Sequence, residues 1–411
     1  MRQSQLFTRV ERTFPRDEVA LNAKLLTRAG FVRKLSAGVY AYLPLGLRVI
    51  KKISQIVREE MDAIGGEELL LSALVDKKYL DATKRWDLDV GFEAKTKNEK
   101  QAAYALGWTH EEVLAAIASK SISSYKDLPF AAYQIQTKFR NELRAQSGLL
   151  RGREFLMKDL YSFHVSQENL FDYYAKVKEA YFKVFERCGL KAYYTLAGGG
   201  DFTLANTHEF QVIVDVGEDT ILLCKECGYA ENKEISKLKS NGKCPECNKG
   251  KVSEEKAIEV GNIFPLGTKY AEAFGLEYVD NNGNRKPVVM GSYGIGISRV
   301  MGTIAEIKSD AEGLIWPESV APFRVHLLAL NGAEAKNIYA DLQKAGVEVL
   351  YDDRDMSAGE KLVESSILGV PFRAVVSPKT EGKIELKKRS ESETRLVNST
   401  EFLKIIHENI R

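Results

Sequence analysis

Two runs of residues with a period of two lie close together between residues 131 and 163. Because successive side chains of a strand point to opposite faces, each run predicts a strand. The polar face of the first strand would carry Gln134, Gln136, Lys138, Arg140 and Glu142, and one face of the second would carry Arg153, Phe155, Met157, Asp159 and Tyr161. A polar segment containing Gly148 and Gly152 connects the runs, so the pattern predicts an antiparallel hairpin with an arginine-bearing loop.

Apolar residues at helical spacing predict two long helices. The first covers 46–64, and the second covers 166–188, with Ser166 as its N-terminal cap and Gly189 as its stop. The apolar stripe of the second helix predicts that it packs on a core.

The last quarter of the chain alternates between apolar runs and helical stretches, after a proline-punctuated linker at 316–323. This order predicts a small mixed or parallel sheet with helices. The elements are apolar runs at 323–330, 347–351 and 372–377, helices at 333–345 and 359–368, a charged strand at 383–389 and a helix at 400–410.

The composition is that of an ordinary globular protein, with 44% hydrophobic and 28% charged residues in 411 positions. That length predicts two or three domains. The net charge of +2 neither indicates nor excludes a nucleic-acid partner, since a basic groove can be offset by acidic surface elsewhere. There is no apolar stretch long enough to cross a membrane and no apolar signal-peptide core at the N-terminus, so we expect a cytoplasmic protein without membrane contact.

Four of the five cysteines form two tight pairs, Cys224-x-x-Cys227 and Cys244-x-x-Cys247. Each pair can donate two thiolates, and this spacing is typical of zinc ribbons, so the four sulfurs predict a Zn²⁺ site. A decayed ribbon or a redox pair is the alternative. Four sulfurs leave no open coordination position, which indicates a structural role.

Arg140, Glu142, Arg151 and Phe155 combine two cations, a carboxylate and a flat ring. Two cations can hold a triphosphate, a ring can stack on a purine, and a carboxylate can accept hydrogen bonds from adenine's amino group. The alternative is a pair of surface strands whose charged residues form salt bridges. Farther along, a glycine-spaced segment ends in Arg299 where a helix is predicted to begin; tight packing explains its glycines but not its arginine.

Three strings resemble motif 2 of class II aminoacyl-tRNA synthetases, in the form carried by bacterial prolyl-tRNA synthetases: FRNE at 139–142, RGREF at 151–155 and MKDLYSFH at 157–164. The resemblance implies that Arg140 contacts the α-phosphate of ATP and the carboxylate of the amino acid. It also implies that Glu142 and Phe155 hold adenine and that Arg151 reaches the far phosphates.

The segment GSYGIGISR at 291–299 resembles motif 3 of the same class, which implies that Arg299 binds the γ-phosphate. Thr109 and Glu111 match the T-x-E loop of prolyl-tRNA synthetases, whose threonine and glutamate hold the proline amino group. A carboxylate suits a secondary ammonium, which carries two donors and a positive charge. The family's usual proline before the threonine is Trp108 here, and the same residues also fit a helical capping box that starts at Thr109.

The string THEFQ at 207–211 matches the family's S-H-E-F, which implies that His208 lines the proline pocket together with Met157. A lone histidine on a strand is otherwise more often a hydrogen-bonded structural residue. Gln211 is predicted to contact ATP, and Glu209 is a further candidate contact for ATP or magnesium. Most ligands of the Mg²⁺ ions would be phosphate oxygens.

The helix at 46–64 and the apolar stretch at 69–75 have the form of motif 1, which implies a homodimer, although Ser72 or Ala73 replaces the family's usual proline. A plain amphipathic helix on a core fits the same periodicity. Many bacterial relatives insert a large editing domain between motifs 2 and 3. Only about forty residues separate THEFQ from the segment at 259–270, too few for an independent domain, so we expect no editing within this chain.

Together these features predict an α+β protein with an antiparallel class II catalytic core, flanking helices, a zinc-ribbon-like insert and a C-terminal α/β anticodon-binding domain. The predicted ranges are 1–220 and 257–316 for the core, 221–256 for the insert and 317–411 for the anticodon-binding domain. The resemblance implies a proline–tRNA ligase that uses ATP and Mg²⁺, forms prolyl-adenylate and transfers proline to tRNA(Pro), with Arg140 and Arg299 as its catalytic residues. A class II synthetase for threonine, serine or glycine and a paralogue that binds tRNA without aminoacylating it are the alternatives.

Overall fold

The chain is described by a computed structural model over residues 1–143, 145, 147–200, 202–203 and 205–408. Its internal contacts divide it into two compact units. One consists of Met1–Ser36, Tyr40–Lys52 and the chain from Ile304 onward, and the other of Ala37–Val39 and Ile53–Thr303. We call them the C-terminal unit and the central unit. The four domain ranges given above remain a prediction.

Both long helices predicted from the sequence are confirmed. Ser166 caps the second one, because its side chain accepts a hydrogen bond from the backbone N–H of Asn169 at 3.2 Å. No helix among the described residues is long and apolar enough to span a bilayer. The helices are α1 (Leu21–Arg28), α2 (Pro44–Ala63), α3 (Lys77–Ala82), α4 (Glu111–Ala118), α5 (Gln167–Arg187), α6 (Lys269–Ala273), α7 (Ile297–Ile307), α8 (Lys336–Lys344), α9 (Ala358–Leu368) and α10 (Ser399–Glu408).

The strands form one large sheet in the central unit, one five-stranded sheet in the C-terminal unit and three small sheets. They are β1 (Val32–Ser36), β2 (Val39–Tyr42), β3 (Gly66–Glu68), β4 (Leu74–Asp76), β5 (Phe92–Ala94), β6 (Tyr104–Leu106), β7 (Phe130–Phe139), β8 (Glu154–His164), β9 (Ala192–Ala197), β10 (Thr207–Ile213), β11 (Asp219–Cys224), β12 (Ala230–Asn232), β13 (Val252–Gly267), β14 (Glu277–Val279), β15 (Arg285–Pro287), β16 (Val289–Gly296), β17 (Val325–Ala329), β18 (Val349–Asp352), β19 (Phe372–Val376), β20 (Ile384–Lys388) and β21 (Thr394–Val397).

The large sheet has nine strands in the order β10-β9-β12-β11-β13-β16-β8-β7-β3, and β10 also pairs with β13. All pairs are antiparallel except β12 with β9 and β3 with β7. The predicted hairpin is confirmed as β7 and β8, in which Gln134 lies opposite Asp159. Motif 3 is confirmed as a strand-to-helix turn from β16 into α7.

The two faces of this sheet differ in chemistry. Helix α5 packs on one face, which we call the helix face, where Tyr133, Leu160 and Tyr293 lie opposite one another on neighbouring strands and are fully buried. The other face, which we call the polar face, carries the side chains that alternate with them. Its members include Gln134, Gln136 and Lys138 on β7, Phe155, Met157, Asp159 and Tyr161 on β8, Ser292 on β16, Asn262 on β13 and Glu209 on β10.

The C-terminal unit contains the predicted small mixed sheet, with strand order β18-β17-β19-β20-β21. The first three strands are parallel, and the last two are antiparallel additions. Strand β21 was not predicted, because its sequence is charged and three of its four residues are exposed. The final helix was predicted to reach residue 410, and its last two residues lie outside the described part of the chain.

Candidate active site

Arg140 stands just beyond the end of β7, in the alternation that places Gln136 and Lys138 on the polar face. Its guanidinium carbon lies 5.3 Å from the centre of the Phe155 ring, and Nη2 donates to the carbonyl of Trp108 at 3.4 Å. Nε is buried and has no hydrogen-bond partner among the described residues. Burial, followed by the charge of Arg299, lowers the pKa of Arg140. A buried cation with spare donors is suited to an anion.

Arg299 lies in the first turn of α7, where motif 3 ends. Its Nε donates to the carbonyl of Leu150 at 2.8 Å, and Nη1 contacts the carbonyl of Glu259 at 2.8 Å and its carboxylate at 3.1 Å. Arg151 pairs with Glu142 at 3.2 Å and also with Glu218. A cavity is lined by Leu150, Arg151, Val216, Glu218, Asp219, Ala257, Ile258, Glu259 and Arg299. The structure therefore brings both arginines to one cavity.

Gln211 lies within a group of acids and opposite Glu259, the residue that contacts Arg299. Its amide nitrogen donates to Glu209 at 2.8 Å and to Asp219 at 2.9 Å, and its side-chain oxygen is buried without a partner among the described residues. Burial and the nearby charge of Glu259 raise the pKa of Glu209 to about 8. Carboxylate and amide oxygens are a suitable donor set for Mg²⁺.

Thr109 and Glu111 form a buried pair at the start of α4. Thr109 Oγ1 donates to one carboxylate oxygen of Glu111 at 2.5 Å, and the Ser292 hydroxyl donates to the other at 3.0 Å. The N-terminal cap of α4 is His110 and not Thr109, and the His110 side chain makes no capping hydrogen bond. The capping-box interpretation is wrong, because the Thr109 hydroxyl is engaged by Glu111.

A fully buried network of side chains lies beneath this pair. Lys138 Nζ is 2.7 Å from His110 Nδ1 and 3.0 Å from Asp159 Oδ1. Asp159 also accepts from Tyr161 at 2.8 Å, and the Tyr161 hydroxyl accepts from the backbone N–H of His110 at 2.8 Å. Because the Nδ1 of His110 faces a lysine donor, its Nε2 carries the proton and donates to the carbonyl of Ser72 at 2.9 Å. The network fixes the position of the T-x-E loop on the polar face.

The structure does not bring His208 to this site. His208 lies opposite Ile263 in the register of β10 and β13, and Ile263 lies opposite Tyr293, which places His208 on the helix face. There its ring stacks on Tyr194 with centroids 4.2 Å apart and is 2.9 Å from the hydroxyl of Tyr174. Its register therefore does not support the prediction that His208 lines the proline pocket.

Met157 lies on the face of the hairpin that the sequence predicts. It lies opposite Gln136 on β7 and Gly296 on β16, so its half-buried side chain is on the polar face. A Cβ placed on Gly294 would be 3.0 Å from Asn262 Oδ1 and 3.9 Å from the methionine sulfur, so this part of the polar face has little room for a side chain at position 294.

The four cysteines converge, although Cys224 and Cys244 are twenty residues apart in sequence. All four sulfur atoms lie within 4.8 Å of one another, with Cys224–Cys247 at 3.9 Å and Cys227–Cys244 at 3.6 Å. The backbone N–H of Gly250 donates to the Cys247 sulfur at 3.4 Å. No bond joins the sulfurs, so the structure contains a cluster of thiols and not disulfides.

Two family models cover most of the chain. Residues 92–308 match the class II tRNA synthetase core domain (G, H, P, S and T), and residues 320–409 match the anticodon-binding domain. The proline–tRNA ligase of Thermoanaerobacter sp. strain X514 is 32% identical over 568 aligned positions that span 100% of both chains. That of Geobacillus kaustophilus is 34% identical, with 96% of this chain and 97% of the relative covered.

The chain belongs to the proline–tRNA ligase family. It is thus a class II aminoacyl-tRNA synthetase, a ligase that joins proline to tRNA with ATP. Solved prolyl-tRNA synthetases have the same fold. That of Cryptosporidium parvum, complexed with halofuginone and AMPPNP, has a TM-score of 0.77 at 18% identity and covers 94% of this chain and 77% of its own. That of Giardia lamblia, with prolyl-adenylate, has a TM-score of 0.76 at 20% identity and covers 93% and 75%.

This member is shorter than its bacterial relatives. An alignment of 568 positions over a chain of 411 residues leaves at least 157 positions without a counterpart here. Strands β11 and β13 are nevertheless direct neighbours, and only the cysteine-containing segment 225–251 connects them.

Several site residues were not predicted from the sequence: Arg85, Asp219, Glu218, Glu259 and Ser292. Arg85 is buried and contacts Glu111, but it lies 26 positions earlier in the chain and no local pattern connects the two. Glu259 faces Gln211 only because β13 carries one extra residue, Val260, at a register shift. The alternation of the two strands could have suggested their pairing but not that bulge.

Proposed function

We propose that proline activation takes place on the polar face of the large sheet, with Arg140 at its centre. Arg140 binds the carboxylate of proline and the α-phosphate of ATP, Phe155 stacks on adenine, and Glu142 accepts a hydrogen bond from the adenine amino group. Arg151 and Arg299 hold the leaving pyrophosphate. The observation that carries this proposal is that Arg140 lies 5.3 Å from the centre of the Phe155 ring, while Arg151 and Arg299 line one cavity.

The proposed chemistry needs no protein nucleophile. The carboxylate of proline attacks the α-phosphorus in line with the bond to pyrophosphate, and prolyl-adenylate forms. Partly buried guanidinium groups that are already in place stabilise the charge that develops in the transition state, at little cost in reorganisation. Glu142 is paired with Arg151 at 3.2 Å in this structure, so adenine binding exchanges this ion pair for contacts with the nucleotide.

Thr109 and Glu111 hold the amino group of proline in this proposal. Glu111 is fully buried and accepts hydrogen bonds from Thr109 and Ser292, so its carboxylate is oriented before proline binds. Met157 provides an apolar wall on the same face. We leave His208 out of the proline site.

Glu209, Gln211 and Glu259 are the proposed protein contacts of Mg²⁺. Their oxygens match the preference of this ion for carboxylate and amide donors. Bound Mg²⁺ neutralises charge on the phosphates of ATP. Glu259 also orients the Arg299 side chain, which it contacts at 3.1 Å.

The cysteine cluster is proposed to hold a structural Zn²⁺. At a Zn–S distance of about 2.3 Å, tetrahedral geometry requires sulfur atoms roughly 3.8 Å apart. The separations of 3.6 and 3.9 Å fit that requirement without rearrangement. Four thiolates would fill the coordination sphere, so the ion would organise the segment and take no part in catalysis.

We propose that the chain does not edit mischarged tRNA. The segment between β11 and β13 is too short for a second hydrophobic core. A proline pocket cannot strongly reject the smaller alanine, so clearance of Ala-tRNA(Pro) would need another protein. Purified enzyme should leave Ala-tRNA(Pro) intact beyond spontaneous hydrolysis, and rapid release of alanine would contradict the proposal.

A homodimer is proposed to form at the β3 edge of the large sheet. The segment that follows β3 exposes Leu70 by 76% and Leu74 by 51%, which is unusual for leucine. Light scattering should give twice the mass of the chain, and Leu70→Lys should shift it toward the monomer. A cytoplasmic location remains a prediction that follows from the activity.

Proline-dependent exchange of pyrophosphate into ATP tests the assignment of the site. Arg140→Ala should lower kcat/KM by about two to three orders of magnitude, the usual range for losing a donor to developing charge. Arg187→Ala is the control, because that arginine is 39% exposed and pairs with Glu59 and Glu60. Equal rates for the two variants would contradict the proposed role of Arg140.

A further inference from the structure

We propose that Arg85 is a positioning residue that sets the charge of the proline-binding carboxylate. By pairing with Glu112 as well as Glu111, it leaves this group of three side chains with one uncompensated negative charge, which the protonated amino group of the substrate neutralises. We call Arg85, Glu111 and Glu112 the Arg85 triad. The inference rests on the proposed function, in which Glu111 binds that amino group.

The triad is removed from solvent and is held by directional contacts. Side-chain exposure is 4% for Arg85 and 1% for each glutamate. Arg85 Nη1 lies 2.9 Å from Glu112 Oε1 and 3.3 Å from Glu111 Oε2. The shorter contact is to Glu112, which also accepts a hydrogen bond from Thr83 at 2.7 Å. Arg85 is thus bound mainly to Glu112.

Aromatic rings fix the guanidinium of Arg85 from the other side. Its carbon lies 4.9 Å from the centre of the Phe202 ring and 5.7 Å from that of Tyr270. These contacts favour a planar cation over a lysine. The position of Arg85 is therefore determined by its surroundings before any ligand is bound.

The charge count of the triad is unbalanced without a ligand. Two carboxylates and one guanidinium give a net charge of −1 in a buried site, and an uncompensated buried charge is unfavourable. Burial raises the pKa of Glu112, although the positive charge of Arg85 acts in the opposite direction. Burial opposes the charged form of Arg85, but the charges of Glu111 and Glu112 outweigh this effect and raise the pKa of Arg85. A cationic ligand beside Glu111 restores neutrality, and a neutral or anionic ligand does not.

When proline is bound, the other groups that face Glu111 do not change this count. Thr109, Ser292 and Tyr161 are neutral hydroxyls near it. Lys138 is balanced by Asp159 at 3.0 Å, and burial lowers the pKa of His110, which favours its neutral form. Arg140 is the remaining cation that feels the charge of Glu111, and in the proposed function it is matched by the carboxylate of proline.

Removing Arg85 alone should make proline binding depend on pH. Two buried carboxylates next to each other cannot both stay ionised, so they would share a proton near neutral pH. The shared proton would weaken the attraction of Glu111 for the amino group. Raising the pH would remove that proton, so the ratio of variant to parent KM for proline should fall as pH rises.

The test measures KM for proline and for ATP by pyrophosphate exchange between pH 6.5 and 9, with parent, Arg85→Met, Glu112→Gln and the double variant. Each single change should raise KM for proline at pH 7 by roughly 10- to 100-fold, the range for one charge-assisted hydrogen bond. Arg85→Met leaves two adjacent carboxylates without a cation, so that they share a proton, and Glu112→Gln leaves a net charge of zero. The double variant restores −1, and its KM should return to within about threefold of the parent.

A merely structural role gives a different pattern, since two losses of packing or hydrogen bonds would add. The inference is therefore overturned if the double variant is worse than either single variant, or if the effect of Arg85→Met does not change with pH. KM for ATP should stay within about twofold throughout. If Arg85→Met does not fold, Glu112→Gln still tests the inference. An unchanged KM for proline in Glu112→Gln would contradict the proposed role of the net charge.

Two further variants separate the possible failures. Arg354→Met removes another arginine that binds two carboxylates, Asp352 and Glu364, in the C-terminal unit; its side chain is 16% exposed, and the change should leave KM for proline unchanged. Glu111→Gln tests the proposed function itself. If Glu111→Gln leaves KM for proline unchanged, the proposed amino-group site is wrong; if it raises KM and the Arg85 variants do not, only the present inference fails.

Discussion

Lys138 and Lys158 are both fully buried on one hairpin, and their comparison tests how the site is held together. Lys138 is on the polar face, where it pairs with Asp159 at 3.0 Å and contacts His110 at 2.7 Å. Lys158 is on the helix face, where it donates to the Tyr181 hydroxyl at 2.5 Å and to a carbonyl oxygen at 3.0 Å. Of these two lysines, only Lys138 makes an ion pair with a carboxylate in the described part of the chain.

Replacing Lys138 with methionine keeps the apolar stem of the side chain and removes its charge. Asp159 then stays buried with hydrogen bonds from Gln134 and Tyr161 but without a cation. Breaking a buried pair in this way costs about 3 to 5 kcal/mol of the free energy of unfolding. Lys138→Met with Asp159→Asn removes both charges and should recover at least half of that loss.

Lys158→Met should cost much less and can stabilise the protein. Burial lowers the pKa of Lys158 well below its usual value. The charged form of this lysine is therefore less favourable in the folded state than in the unfolded state, and methionine removes that penalty. We expect a change between a loss of about 1 kcal/mol, for the lost hydrogen bonds, and a small gain.

The two variants should also respond to pH in different ways. Burial alone would raise the pKa of Asp159, but the charge of Lys138 outweighs burial and lowers it. The pair therefore stabilises the parent above the pKa of the carboxyl in the unfolded chain, about 3.9, and this stabilisation is lost as pH falls. Without Lys138, burial raises the pKa of Asp159, and stability improves as pH falls toward protonation. The penalty of Lys138→Met should therefore shrink between pH 7 and pH 4.5.

Urea unfolding followed by tryptophan fluorescence measures both effects. In a Trp316→Phe background, the remaining tryptophans, Trp86 and Trp108, both lie in the central unit. The reasoning is refuted if Lys138→Met and Lys158→Met cost the same at pH 7. A penalty for Lys138→Met that grows as pH falls would refute it as well.

Three further predictions concern the metal, the nucleotide and the discarded histidine. Gly250→Ala places a Cβ 2.6 Å from the Cys224 sulfur, so the purified variant should contain less than half of the zinc of the parent by elemental analysis. Phe155→Ala should raise KM for ATP about tenfold and leave KM for proline within twofold, because stacking on adenine is worth roughly 1–3 kcal/mol. His208→Ala should leave KM for proline within twofold, and a tenfold rise would return this residue to the proline site.

The parts of the site that follow from strand alternation could be predicted from the sequence. Arg140, Phe155 and Met157 share a face because the period of two is fixed by the backbone and the hairpin pairs over its full length. The same rule argues against the prediction for His208. His208 and Gln211 are three positions apart on one strand, so they lie on opposite faces. This alternation is visible in the sequence, but the prediction for His208 followed the family motif instead.

The contacts that join distant segments could not be predicted in this way. Arg85 meets Glu111 and Glu112 because a turn after α3 and the start of α4 pack together, and no periodicity encodes that approach. The extra residue at Val260 decides that Glu259 faces Gln211, and a bulge of one residue leaves no clear mark in an alternating sequence. These contacts depend on tertiary packing, which a single sequence does not specify by local pattern.

The cysteine cluster has a physical reason to exist where the chain is shorter than its relatives. Strands β11 and β13 must remain paired, because Asp219 begins one of them and Glu259 lies on the other, beside Arg299. The loop that joins them spans 225–251, and closing a loop of this length costs conformational entropy. In the proposed zinc site, the ion ties Cys224 at the end of β11 to Cys244 and Cys247 near the start of β13. Metal binding would then offset the entropy of loop closure and keep the phosphate end of the active site in register.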